Sequence, residues 1–463
     1  MAERGRLRRI LRAPEAVFLF FSLIAGLVLV GLITPLVGGN ETYNFQRASS
    51  IANGELLVRP VALPGGTAEL LEAIGRRFPL GTPPPYVLSE SEYQTLAAIP
   101  LRADEPRVVT PSPITVLHPI SYLPHAPTMA AGQALGLSPL AIFYIGRLAG
   151  LLAGIALTVF AIRIVPVHKH ALAAIALLPP MLFSRSTLDA DQLTNGLAFL
   201  FLAMVIREIV ERGPLPATRI AAIAITGFFL AQAKSAYLLL PLLTLAIPAE
   251  RFGTPARKAW FCALFVLPGV AGSVGWMLLV KHTFFNDIQY GTWSGIVQPD
   301  RQLAAILANP FLYAVTLLRT LFATMLIPTA VIELFGVFGP PVKMPALMIA
   351  AVAGLFAATI LSQHRAAEPR LSALGTKALA AGISAVTLVI ILTLLYLQWT
   401  RFGAPVIQGF NGRYIYPLAP LLLLLVAVPG RRIFGVSASA WLIAMGVVSV
   451  AGTWLVTSWT YLA

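Results

Sequence analysis

Apolar runs of roughly helix-spanning length, separated by short polar breaks, set the plan of the chain. The first run covers Ala16–Val37 and is followed by the longest polar segment, Gly38–Ala126. Further runs lie at Leu140–Val165, Ala171–Phe183, Leu193–Val210, Ile220–Gln232, Ala236–Pro248 and Trp260–Val280. A second polar loop, Lys281–Asn309, leads into Pro310–Pro341, which Pro and Gly punctuate. Four more runs close the chain, at Ala346–Leu361, Ala378–Leu397, Tyr414–Val428 and Ile433–Ser458. Runs near 20 residues match a hydrocarbon core about 30 Å thick. The pattern predicts an all-α polytopic transmembrane bundle of about eleven spans. The count becomes thirteen if 310–341 crosses as a hairpin rather than lying as a re-entrant element.

Composition agrees. Of 463 residues, 57% are hydrophobic and 11% charged, against about 25% charged in soluble domains. The net charge of +14 matters here through its distribution, not as a nucleic-acid footprint. Segments that alternation assigns to the cytosol carry eighteen Lys and Arg against five acids; the opposite segments carry eleven against twelve. The positive-inside rule then places the N-terminus in the cytosol and Gly38–Ala126 outside. Arg4, Arg6, Arg8, Arg9 and Arg12 precede an apolar run too long for a cleaved leader, which reads as an uncleaved signal anchor with its N-terminus in the cytosol. The single cysteine, Cys262, provides no disulfide.

Polar chemistry gathers at the outer ends. Glu41 is the first carboxylate past the first span, after the helix-breaking Gly38-Gly39. Ala233-Lys234-Ser235 reads as the outward tip of a short hairpin, where Lys234 either snorkels to headgroups or binds phosphate. Asp189 and Asp191 flank a helix start. Capping accounts for one of them, while a pair could orient a sugar or hold a divalent cation. His118 and Tyr122 lie in a Pro-rich stretch suited to stacking platforms, and Arg147 is an intramembrane charge matched to an acid of the first loop. The last outer loop offers Arg401 and Arg413 with glycines and aromatics and no acid, so either arginine snorkels or clamps an anion. The P-loop, Rossmann, HExxH and CxxC patterns are all absent from the sequence.

Asn411-Gly412-Arg413-Tyr414-x-x-Pro417 resembles the Q-x-R-Y-x-x-P element of a family of bacterial multi-pass proteins of formerly unknown function. That family is grouped with the GT-C superfamily of polyprenyl-phosphate-dependent glycosyltransferases. Glu41 through Arg47-Ala48, the stretch before Arg147-Leu148, and Asp191-x-x-Thr194-Asn195 resemble its other elements. Asn40, Asn44 and Asn411 depart from its Asp, His and Gln. The resemblance implies a GT-C-like bundle and an inverting glycosyltransferase. Its donor would be a polyprenyl-phosphate sugar and its acceptor an extracytoplasmic glycan or glycolipid. Glu41 would be the general base, with Asp189 or Asp191 orienting the acceptor. Lys234 and Arg413 would hold the lipid phosphate, with Arg47, His118, Tyr122, Arg401 and Tyr414 around the substrates. No cofactor is called for, a divalent cation at the aspartates being the second choice. The rival class is a lipid or glycan flippase without catalysis. Against it, the ionisable residues gather at one face instead of lining a path through the bilayer centre.

Overall fold

The computed structural model describes residues 12–57, 60–79, 82–109, 116–282, 297–325, 327–339, 342–363, 368–426 and 432–462. The N-terminal arginines up to Arg9, and residues 283–296 of the second polar loop, lie outside them. The described chain is an all-α bundle with two short two-stranded sheets.

The first span is α1 (Pro14–Leu32). The long polar segment that follows is itself folded: α2 (Glu41–Ala52), β1 (Val61–Leu63), α3 (Gly65–Arg77), α4 (Glu90–Ala97), β2 (Arg107–Val109) and α5 (Ala126–Ala134). β1 and β2 pair antiparallel, Val61 opposite Val109. Leu36, Phe45, Leu70, Ile74, Leu96, Tyr122 and Met129 bury together against Phe143 and Leu188, so this cap shares a core with the bundle. Gly66 is needed for that docking, because a Cβ there would collide with the Pro100 carbonyl, and its N–H donates to Leu101 O at 2.9 Å.

α6 (Pro139–Ile164) starts on a Ser138 cap, whose hydroxyl accepts from the Ala141 N–H, with proline at the first helical position, where the missing N–H costs nothing. The predicted span 171–183 is two pieces, α7 (Lys169–Ala176) and α8 (Pro179–Ser186). Pro179-Pro180 cannot donate into a continuing ladder, and Leu178 before them turns extended. α9 (Asp191–Val210) is the most enclosed of the long helices, and α10 (Ala217–Ala233) follows. The predicted run 236–248 is not α-helical; it forms 3₁₀ turns at Ser235–Tyr237 and Leu240–Ala246. α11 (Pro255–His282) is followed by α12 (Pro299–Ala308) and α13 (Pro310–Met325), bent by 111° where they meet. α14 (Ile327–Phe335), at nine residues, measures about 14 Å, too short to cross alone. It leads through β3 (Val337–Gly339) and β4 (Val342–Lys343) to α15 (Ala346–Leu361). α16 (Leu374–Gln398), α17 (Ala419–Leu425) and α18 (Ala438–Tyr461) complete the bundle.

Among the described residues, six helices are long and apolar enough to cross a membrane, seven if the bent pair counts as one span; four apolar segments are shorter. The eleven-span count therefore includes broken and short elements. Outward-facing Phe20, Leu27, Leu264, Phe311, Leu347 and Trp459 are exposed, as lipid-facing positions are. At one end of the bundle Glu208, fully buried, receives Arg207, Arg219 and Arg251, while Arg370 donates to the Glu211 carbonyl at 3.1 Å. At the other, the loop end, the exit of α1, the start of α9, the end of α10 and the segment before α17 converge.

Candidate functional site

The loop end is built on one buried ion pair. Arg147, two turns into α6, donates Nε to Glu41 Oε1 at 2.7 Å and Nη2 to Oε2 at 2.6 Å. Its remaining hydrogens go to the carbonyls of Val30 and Ile33, both at 2.8 Å, and Thr34 at 3.2 Å, which have no helical donor at the end of α1. Glu41 also accepts from the N–H groups of Leu188 (2.6 Å) and Gly38 (3.3 Å). Both side chains are fully buried. The acid partner expected for Arg147 is thus present. For Glu41, expected as the general base, both oxygens are already engaged and the side chain is sealed from solvent, so in this arrangement it ties the loop end together.

The residue after Leu188 is Asp189, and here the charges are not saturated. Lys234, leaving α10 in extended backbone, places Nζ 2.5 Å from Asp191 Oδ1. Arg413 faces both aspartates at longer range, Nη1 3.9 Å from Asp189 Oδ2 and Nε 3.7 Å from Asp191 Oδ2. Its buried Nε makes no hydrogen bond. Asp189 Oδ1 accepts the Asp191 N–H at 3.0 Å, and the Ser184 hydroxyl reaches Oδ2 at 3.2 Å. Burial, then the Asp191 charge, push the Asp189 carboxyl above its ordinary range, against the pull of Arg413 and Lys234. Tyr414 lies under both cations, 5.1 Å from Lys234 Nζ and 5.5 Å from the Arg413 guanidinium.

Local sequence explains these placements. Asn411 caps the Gly412–Leu418 turn, its Oδ1 accepting the Arg413 N–H at 3.0 Å. Gly412 packs on the α14 backbone so closely that a Cβ would stand 2.7 Å from the Glu333 carbonyl, and its N–H donates to Glu333 Oε2 at 3.3 Å. The Ser121 hydroxyl donates to the Ala233 carbonyl at 2.6 Å, tying the first loop to the Lys234 turn, and Tyr237 donates to the Tyr414 carbonyl at 3.0 Å.

Beside the cations lies a cavity of about 380 Å³, walled by Met277, Leu278, Val280, Ile391, Leu394 and Leu395, with Lys234, Tyr414, His118, Gln232, Trp276 and Gln398 among its polar residues. Lys234 belongs to both regions: it lines the cavity and holds Asp191.

The remaining predicted residues divide. His118 lines the cavity, with its ring 4.7 Å from that of Trp276. Tyr122 is buried and donates to Asn44 Oδ1 at 2.7 Å. Arg47 is buried and donates to the carbonyls of Glu55 (3.3 Å) and Leu56 (2.6 Å), tying the cap together, while its Nε makes no hydrogen bond; burial lowers it to about 10. Arg401 is exposed and stays outside the cluster. Ser121, Tyr237 and Glu333 were missed. Glu333 had a signal, a lone carboxylate inside the apolar Ala330–Phe335. The other two had none. Among the described residues no three His, Cys, Asp or Glu side chains come together to hold a metal ion.

Residues 23–422 match the family described as predicted membrane protein (DUF2142), and the chain belongs to it as a multi-pass membrane protein. No curated protein and no solved structure matches the chain.

Proposed function

We propose that this DUF2142 member is an inverting glycosyltransferase of GT-C type, moving a sugar from a polyprenyl-phosphate donor to an extracytoplasmic glycan or glycolipid acceptor. The observation that carries the reading is the junction at Lys234, where two aspartates and two cations meet an apolar cavity on membrane-embedded helices. A cation at the head of an apolar groove suits an anionic headgroup with a hydrocarbon tail, and Arg413, facing the aspartates without a tight bond, is free to turn onto phosphate.

Asp189 takes the base role in place of Glu41. Its carboxylate removes the acceptor hydroxyl proton as that oxygen attacks the anomeric carbon. The bond from that carbon to the phosphate oxygen breaks, the electron pair leaves with the polyprenyl phosphate, and the configuration inverts. Lys234 and Arg413 stabilise the charge that develops on the leaving phosphate. Asp191 holds Lys234 in place. The raised pKa of Asp189 makes it a stronger base than an ordinary carboxylate, and the acidic limb of the pH profile moves upward accordingly.

The test is turnover of a short-chain polyprenyl-phosphate sugar by purified protein. Asp189→Asn is expected to lower turnover about 10²–10⁴-fold while lipid binding persists, the usual worth of a positioned base. Wild-type turnover in that variant would remove Asp189 from the chemistry. Lipid movement without sugar transfer would favour the flippase.

A further inference from the structure

We infer that His118 is a fixed neutral hydrogen-bond donor in the cavity, presenting its Nε2–H to the phosphate of the bound lipid. This rests on the reading above that a phosphate-headed lipid occupies the cavity.

The argument begins with the tautomer. His118 caps the 3₁₀ turn Pro119–Tyr122, and its Nδ1 accepts the Ile120 N–H at 3.1 Å. A ring nitrogen that accepts from a backbone N–H carries no proton. The neutral ring therefore bears its proton on Nε2. Protonating Nδ1 would turn two donors against each other and break the cap. Among the described residues Nε2 has no hydrogen-bond partner, while the ring lines the cavity with its edge set by Trp276.

The surroundings keep the ring neutral. Burial lowers His118 to about 4, and the Arg47 guanidinium adds to the effect. The charged or titratable groups facing it are Arg47 from α2, and Lys234 and Tyr414 across the cavity; among the described residues no carboxylate lines the cavity. Two donors of different kinds result. Lys234 supplies charge, and His118 supplies direction without a second charge beside Arg47. The same chemistry would take a lipid phosphate or free phosphate, but the apolar wall from Met277 to Leu395 favours the lipid.

Two substitutions separate the cap from the donor. In His118→Asn, Oδ1 can still accept the Ile120 N–H, since Asn caps well, but no N–H extends as far as Nε2 did. In His118→Gln the longer side chain restores a donor at that reach. Binding of a short-chain polyprenyl phosphate to the full-length protein in detergent is measured for each variant, with inorganic phosphate as competitor. The expected result is a roughly tenfold loss for Asn and at most about a threefold loss for Gln, with thermal unfolding of both close to wild type. Among the neutral-ring signals in histidine ¹⁵N spectra, the one that is absent from His118→Asn should be an Nε2–H tautomer, and its Nε2 signal should move when lipid is added. An Asn variant that binds like wild type reduces His118 to a cap and overturns the inference. Equal losses for Asn and Gln would assign the ring to stacking and overturn it too. If inorganic phosphate competes at the lipid's own concentration, the site is a free-phosphate site and the lipid assignment fails. Failure of wild type to bind lipid at all would instead remove the reading of the cavity on which the inference stands.

Discussion

Two sets of opposite charges lie one residue apart, at Leu188 and Asp189, and they are built in opposite ways. In the first, Arg147 and Glu41 meet fork to fork, bind three carbonyls and two N–H groups besides each other, and see no solvent. In the second, Arg413 stands 3.7–3.9 Å from its aspartates with one buried N–H unspent, and Lys234 keeps 20% of its side chain exposed. A saturated pair has nothing left for a ligand, whereas an under-satisfied set has its hydrogen-bonding capacity in reserve. The difference separates scaffold from site where residue type alone does not, since both consist of a carboxylate facing an arginine.

The sharpest way to break this contrast is to unpair the scaffold. Glu41→Gln leaves the Arg147 charge buried without its counter-ion and is expected to cost roughly 3–5 kcal/mol of stability. Glu41→Gln combined with Arg147→Met should recover much of that loss, because no lone charge remains. Thermal unfolding in detergent reads both. A stable Glu41→Gln protein that has lost only turnover would return the base role to Glu41.

The site should answer differently. Lys234→Met and Arg413→Met are each expected to weaken polyprenyl-phosphate binding by about ten- to a hundredfold, and Arg413→Met, whose contacts to the aspartates are long, should change unfolding less than Lys234→Met, which also breaks the 2.5 Å pair with Asp191. The double variant should lose less than the sum, both groups serving one phosphate. Fully additive, small effects would mean that the two cations only snorkel.

The smallest effect carries the most telling sign. Folding raises the Asp189 pKa, so the folded state holds that proton more tightly than the unfolded chain. Stability is greatest below the unfolded value near ~4 and is lost as pH rises through the raised folded value. Asp189→Asn removes this dependence. Its melting temperature at pH 7.5 should equal or slightly exceed that of wild type, with a flatter profile down to pH 5. A clear loss of stability at neutral pH would place Asp189 with the scaffold.

Sequence reading reached the bundle and much of the cluster because both are written in local terms. Apolar runs announce spans, and ionisable residues at span ends stand out against them. The topology read from the sequence puts Lys234, Asp189, Asp191 and Arg413 on one face, and the structure brings them within ion-pair range. What stayed hidden depends on distant partners. That Glu41 is consumed follows from Arg147 and Leu188, 106 and 147 residues away. Arg401 and Arg413 share a loop and looked alike. Only Arg413 has an Asn cap beside it and a glycine pressed to the Glu333 backbone to turn it inward. Pro179-Pro180 was visible, but where the break would send the chain depended on α1 and α6 packing around it.

The link from Arg147 back to the end of α1 also orders events during synthesis. The carbonyls of Val30, Ile33 and Thr34 and the carboxylate of Glu41 leave the ribosome 106–117 residues ahead of the arginine that binds them. At about 5–20 residues per second, that is roughly 5–20 s. Through that interval the first helix is an unlatched end, and it cannot close before α6 arrives. The Leu188 N–H that completes the Glu41 carboxylate follows Arg147 by 41 residues, so the α8–α9 turn joins the latch after α6 has closed it.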